Sequence, residues 1–410
     1  MQVSLVNRYL AHKQHLLPAS RLADVVQIAR DVAALHATDA VGPYLSLWTR
    51  TRNFQRQTLE DALYSRRELS RVHCMRTTLH VVPSADAPYF FQAYAERRIQ
   101  VERDGAALLV LAGLCHENDA GKRLKKLHHQ VMSVLTQKGS CTVRKISQAV
   151  PDLEAKIRHS VGKPYEGEFS VGSRLIPDMC TLGLLVRTRP SGTWRSNLYE
   201  YAAFSNWLPD VALNSVSPRQ ARVWLVQRYL SAFGPATLDD VLWWTGFSKG
   251  QAKEALKTLG STVVEMSIES FDNYLLLADD VQRLHDLALP DACSVFFLPG
   301  LDPYIMGYHD RRRFLTPEHH AKIFDRAGNA MPTVWASGRV VGAWGQRKDG
   351  SVIYGLFEPV DKKDKALLAS EARRLESFLG GEYLAPRTQT PFTRALGKER
   401  YGSRKDIPTL

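Results

Sequence analysis

The chain has 410 residues, 44% of them hydrophobic and 23% charged, with a formal net charge of +12 at pH 7. That composition excludes a disordered or fibrous chain and leaves room for two or more domains with their own cores. The cationic excess favours an anionic partner, nucleic acid first and acidic membrane second, although many basic soluble proteins have neither.

Counting from Leu22, apolar residues recur at Val25, Val26, Ala29, Val32 and Ala33, the spacing of one helix face. His36 is the next position on that face, so a titratable ring continues a buried stripe. Thr38 and Asp39 follow at once, before the break Gly42-Pro43. Helices are predicted after Pro43 and over residues 59–64, and LSRVHCMRTTLHVVP reads as strand, turn and strand.

A second copy of this helix-and-hairpin order begins near Leu127. HQVMSVLTQKGSCTVRKISQAV gives a helix, a break at Gly139 and a short helix capped by Thr142. After an insert, GSRLIPDMCTLGLLVRTRPSGTWRSNLYEYA gives a helix and two strands about the turn Pro190-Ser191-Gly192. This hairpin carries Arg187, Arg189 and Arg195, as expected of strands lying along phosphates.

The clearest copy is FGPATLDDVLWWTGFSKGQAKEALKTL, residues 233–259. Thr237 caps a helix whose apolar face is Leu238, Val241 and Leu242, Gly246 breaks it and Ser248 caps the next. This is a helix-turn-helix, and STVVEMSIESFDNYLLL follows as a wing. In the last third, SVFFLPGLDPYIMGYHDRRRFLTP and PTVWASGRVVGAWGQRKDGSVIYGLFEPV are strand-rich, with turns at Ser337-Gly338 and Asp349-Gly350. A helix over residues 363–379 and a basic tail close the chain.

The expected fold is mainly α with short β wings (α+β). Three tandem winged-helix units, at 1–120, 121–215 and 216–290, precede a small β-barrel-like domain at 291–410. No run of about 18 apolar residues offers a membrane span. The start, MQVSLVNRYLAHKQHLL, lacks the charged beginning and apolar centre of a signal peptide. A cytoplasmic monomer is expected. Cys74, Cys115, Cys141, Cys180 and Cys293 are scattered, odd in number and without a Cys-x-x-Cys pair. That argues against a disulfide framework and against a zinc site of standard spacing.

Taken in order, ALHATDAVGPYLSLWTR, MRTTLHVVPSADAPYF, FGPATLDDVLWWTGFS and LPGLDPYIMGYHDRRRFL resemble the AlkZ/YcaQ-type winged-helix DNA glycosylases. This is a large bacterial group with tandem winged helices and a C-terminal β domain. The resemblance covers nearly the whole chain. It is strongest at about residues 32–82, 233–256 and 298–345. It implies excision of N-alkylated purines from double-stranded DNA without a cofactor and, in some members, unhooking of interstrand cross-links. The family's catalytic pattern is Gln-x-Gln, or Gln-x-Asp in one branch. Aligned on Leu35 and Pro43-Tyr44-Leu45, it falls on His36 and Thr38, so this sequence has His-x-Thr there.

The chemistry can be read on these residues. Cleaving an N-glycosidic bond needs a water near the anomeric carbon and an environment that favours positive charge on the sugar. A neutral His36 can accept the water's proton, since imidazole titrates near working pH. Thr38 can share that water, and Asp39 can face the cation or orient the ring. The competing reading makes His36 a core histidine and Thr38 and Asp39 turn formers. If the helix ran on, residues two apart would point to nearly opposite sides.

DPYIMGYHDRRRF, residues 302–314, is a second candidate. Tyr304, Tyr308, His309 and Arg311 offer rings for stacking on bases and charge for phosphate or guanine. The competing reading is a turn with Arg312 and Arg313 solvated. Arg76, in MRTTLH, can hold phosphate or pair within the fold. Trp243 and Trp244 are expected in the core. No phosphate-cradling, dinucleotide, His-Glu-x-x-His or Gly-x-Ser-x-Gly motif occurs. A non-enzymatic winged-helix DNA-binding protein is the alternative function.

Overall fold

A computed structural model describes the chain except residues 161, 164, 165, 270, 287–293 and 397–410. The expected basic tail and Cys293 lie outside the described residues.

In chain order the elements are α1 (Val3–Lys13), α2 (Val25–Asp31), β1 (Leu35–His36), α3 (Gly42–Arg50) and α4 (Arg56–Glu60). Next come β2 (Leu69–His73), β3 (Leu79–Pro83), α5 (Ala87–Ala93), α6 (Ala95–Leu111) and α7 (Ala120–Lys138). Then follow β4 (Cys141–Thr142), α8 (Val143–Ala149), β5 (Lys156–His159), β6 (Gly167–Ser170), α9 (Val171–Thr181), β7 (Leu185–Pro190) and β8 (Tyr199–Ala203). After a short α10 (Phe204–Trp207) come α11 (Pro218–Phe233), β9 (Ala236–Thr237), α12 (Leu238–Thr245), α13 (Lys249–Leu259), β10 (Val263–Ile268) and β11 (Phe271–Leu277). The last third holds α14 (Ala278–His285), β12 (Val295–Leu298), α15 (Pro303–Met306), α16 (His320–Ile323), β13 (Thr333–Ala336), β14 (Arg339–Gln346), β15 (Val352–Leu356), α17 (Lys362–Leu379) and α18 (Pro391–Leu396).

The chain forms two compact units. One comprises Met1–His36, Val41–Thr58 and Val226–Leu410, the other Ala37–Ala40 and Leu59–Leu225. The fold class is mixed, with helices beside small antiparallel sheets.

In the second unit, strands run in the order β3-β2-β7-β8-β4. Its core gathers Leu127, Val131 and Leu135 of α7 with Ile146 of α8 and Leu175 and Met179 of α9. Thr142 caps α8 by accepting from the Lys145 amide. The insert between α8 and α9 is the hairpin β5–β6. β4 returns to pair with β8, Cys141 opposite Tyr201.

The stretch from α11 to β11 repeats this order without the insert. Thr237 and Asp240 close a capping box at the start of α12, and Gly246, at φ 69, ends that helix in the left-handed conformation. Ser248 and Gln251 form a second capping box on α13. β9 pairs with β11, as β4 does with β8.

The expected helix through His36 is corrected. Asp24 caps α2 by accepting from the Val26 and Gln27 amides, and the helix is over at Asp31. Ala33 then sits at φ 66, a left-handed residue of the kind that stops helices. Of the stripe, Val25, Ala29, Val32 and Ala33 are buried and Val26 half-buried, but Leu35–His36 is strand.

Two further expectations change. The turn at Pro190-Ser191-Gly192 is a longer loop over 191–198, closed by a hydrogen bond from the Ser191 amide to the Leu198 carbonyl, so Arg195 lies in a loop. The strands of the last third, in the order β12-β13-β14-β15, form an open antiparallel meander and not a closed barrel. Four strands are few for closure, and α17 lies against both edge strands instead.

Candidate functional site

Burial alternates over residues 35–38 and not beyond. Leu35, Ala37 and Ala40 are buried, His36 and Asp39 are half-buried, and Thr38 is exposed. The strand Leu35–His36 accounts for the alternation, and the chain then bends at Thr38 and Asp39 into a turn at Ala40. The division between units falls inside the motif, after His36.

In the unit of His36, a Cβ added to Gly42 would lie 3.0 Å from the His36 carbonyl oxygen. A side chain there would press on that carbonyl, so glycine suits the close start of α3 after the strand. In the other unit, the Ala37 amide donates to the Leu79 carbonyl (2.8 Å). The Ala40 amide donates to Asn197 Oδ1 (2.9 Å). Thr38 and Asp39 thus lie between two fixed amides.

Leu79 opens β3 immediately after the turn that carries Arg76. Arg76 and Thr77 adopt φ of 51 and 59, the tight hairpin turn that ordinarily selects Asn-Gly. Both side chains are exposed. Two non-glycine residues held left-handed in succession are a local strain of the kind found at functional sites.

The expected arginines of the β7–β8 hairpin occupy graded depths. Arg187 is half-buried and donates to His73 Nε2 at 3.2 Å. A guanidinium only donates, so Nε2 is the acceptor and the proton sits on Nδ1, which is 2.7 Å from Thr181 Oγ1. Burial, then the Arg187 charge, pushes His73 down to about 3, and the ring is neutral. Arg189 is exposed, its guanidinium 4.7 Å from the Tyr64 ring centre. Arg195 is exposed in the loop.

Sequence reasoning missed Arg71 and His73. Arg71 is buried, donates to Tyr64 Oη at 2.7 Å, and lies 4.9 Å from the Tyr199 ring. The signal was present in LSRVH: two cationic-capable residues two apart share a strand face.

The 302–314 segment is mostly interior. Tyr304 is fully buried, 5.0 Å from Trp335 and 6.1 Å from Phe314 by ring centres. The expectation that it stacks on a base is therefore corrected, because neither ring face is open. Tyr308 is buried too and donates to the Phe233 carbonyl at 2.8 Å. Arg313 is not solvated: it is buried, bonded to the Pro235 carbonyl and stacked against Tyr308 at 4.7 Å. Arg311 is half-buried between Trp243 and Phe324, at 5.0 and 4.2 Å from their ring centres. Trp244 is buried, as expected.

Arg312 is exposed, and so is His309. Its amide and that of Asp310 both donate to Asp240 Oδ1, at 2.7 and 2.9 Å. Asp240, itself buried, thus ties the first helix of the helix-turn-helix to this segment. At the segment's start Asp302 forms a fully buried pair with Arg50, through contacts of 2.7 and 2.8 Å. Among the described residues no cluster of three or more His, Cys, Asp or Glu side chains is arranged to hold a metal ion.

Repeated helix and hairpin elements, with arginines on the β7–β8 hairpin, define a protein of mixed α and β fold. The family model described as DNA glycosylase AlkZ-like matches residues 29–378, and the chain belongs to that family. It is similar to the structure of Streptomyces sahachiroi DNA glycosylase AlkZ with a TM-score of 0.68, over 92% of this chain and 97% of that one. Identity is 18%, so this likeness speaks for the fold. A curated relative, the interstrand DNA cross-link repair glycosylase of Streptomyces sahachiroi, is 29% identical over 132 residues. That alignment spans 31% of this chain and 34% of the relative.

Proposed function

We propose that this protein is a DNA repair glycosylase that excises N-alkylated purines from duplex DNA and unhooks interstrand cross-links. The observation that carries the reading is the family match over residues 29–378. Water attacks the anomeric carbon, a bond forms between its oxygen and that carbon, and the bond to the purine nitrogen breaks. An N7-alkylated purine already carries positive charge and leaves as a neutral base, so little acid catalysis is needed. What the protein supplies is a place for the water and an acceptor for its proton.

In this reading His36 accepts the proton. Thr38, at the bend two residues further on, shares the water through its hydroxyl, and Asp39 favours the developing cation. The reaction is a monofunctional hydrolysis without a cofactor. Arg76, Arg189 and Arg195 meet phosphates from exposed positions, with Arg187 behind them, and His309 and Arg311 form a second contact. The shared element order of residues 120–203 and 218–277 supports reading each as a winged helix, within units at 121–215 and 216–290. The unit at 1–120 and the β domain at 291–410 complete the proposed division.

The test is excision from a duplex bearing one N7-methylguanine and from a nitrogen-mustard cross-linked duplex. Abasic sites or unhooked strands are the expected product. Tight duplex binding with neither product would leave a non-enzymatic DNA-binding protein.

A further inference from the structure

We infer that Asn197 is a positioning residue for the Thr38–Asp39 segment, tying it to the loop that carries Arg195; this rests on the catalytic reading above. The second unit holds Ala37–Ala40 at its two ends in different ways. The Ala37 end is tied to backbone, the Leu79 carbonyl, in a hairpin whose register pairs His73 with Leu79. The Ala40 end depends on one side-chain oxygen, Asn197 Oδ1. Ala40 is itself buried while Asn197 is exposed, so this bond ties a buried backbone amide to the surface loop.

Asn197 and Ala40 are 157 residues apart in sequence. The loop has its own internal support. The Ser196 amide donates to the Thr193 carbonyl, the Leu198 amide to Ser196 Oγ, and Trp194 is buried. These bonds hold the loop's shape without Asn197, whose Oδ1 accepts from Ala40. Arg195, two positions earlier in the chain, is exposed. The same short loop thus presents a cation to solvent and an acceptor to the candidate catalytic segment. A phosphate on Arg195 acts on the loop that sets where Ala40, and hence Thr38–Asp39, sits. Misplacing a reacting or water-holding group by about 1 Å can cost on the order of 10²-fold in rate, so one hydrogen bond at this place reaches the chemistry.

The full-length protein is compared with Asn197→Leu, which removes the acceptor, and Asn197→Asp, which keeps one. Asn197→Ala serves if the leucine disturbs the loop. Hydrogen exchange in a peptide covering residues 37–44 should speed up in the Leu variant by roughly tenfold or more and return towards wild type in the Asp variant. Single-turnover excision of N7-methylguanine at saturating enzyme should fall ~10- to 100-fold for Leu and recover to within about threefold for Asp. Duplex affinity of the Leu variant should stay within about threefold. Unchanged exchange at 37–44 in the Leu and Ala variants overturns the inference. So does a Leu variant with faster exchange whose excision rate equals that of wild type. A wild type that excises nothing sinks the catalytic reading alone, because exchange still reports whether Asn197 holds the segment.

Discussion

Residues 36–39 and residues 302–314 look alike in the sequence: each sets histidine, aspartate and hydroxyl or cationic groups into an apolar surrounding. In the fold they part. Around 302–314 most of the polar groups are consumed by partners inside the protein, with His309 and Arg312 exposed. Asp302 takes Arg50, Asp240 takes the amides of His309 and Asp310, and Tyr304, Tyr308 and Arg313 are enclosed by rings. At 36–39 the flanking amides of Ala37 and Ala40 are taken by Leu79 and Asn197, and Thr38 between them is exposed. A segment whose side chains are satisfied internally is scaffold. One whose amides are fixed while Thr38 is exposed and His36 and Asp39 are half-buried is placed to present a side chain at the surface.

The largest effect that would break this contrast is on stability. Asp302→Ala leaves the Arg50 guanidinium buried without its carboxylate. Losing one partner of a buried pair costs about 3–5 kcal/mol. Denaturant unfolding should show that loss, and a near-neutral result would mean that the 302–314 segment is not the scaffold described. Thr38→Ala, in contrast, should leave the unfolding midpoint within the scatter of ordinary surface changes, about 0.5 kcal/mol.

Next in size is the pH response of the β2–β7 region. His73 is neutral in the fold, pushed from 6.5 to about 3. In the unfolded chain it takes up a proton as pH falls below its ordinary value of about 6.5. The unfolded state therefore binds more protons between about pH 6.5 and pH 3, and stability falls with pH across that window. A single group gives a slope of at most about 1.4 kcal/mol per pH unit. Stability is unaffected by this group above about pH 7. His73→Gln should flatten the profile between pH 6 and 4, and an unchanged slope would show that another group carries it.

Smaller, and confined to binding, is the effect of the hairpin arginines. Replacing Arg187, Arg189 and Arg195 together should weaken duplex binding and reduce the slope of log affinity against log salt by about 2–3, as phosphate contacts are lost. A slope equal to that of wild type would move the phosphate contacts elsewhere.

Legibility in the sequence followed the range of the forces involved. Thr142, Thr237, Gly246 and Ser248 were readable as caps and breaks because their partners lie within a few residues. The end of α2 was not, since it depends on alanine at φ 66 in Ala33, a residue that by itself favours helix. The interior fate of Tyr304 and Arg313 depends on Trp335 and Pro235, which no local pattern announces. The same is true of Asn197. Its type suits a turn, and only the fold shows that its oxygen serves Ala40.

The most direct test of the central claim is a His36 series, with single-turnover excision and duplex binding measured on the same folded samples. His36→Ala should lose excision by at least about 10²-fold, the usual contribution of a positioned proton acceptor. Its duplex affinity should stay within a few fold, because phosphate contacts lie elsewhere. His36→Gln restores the first residue of the family's usual pair and should keep measurable excision. Folded Ala and Gln variants that both excise like wild type would contradict the account and return His36 to the role of a half-buried structural residue.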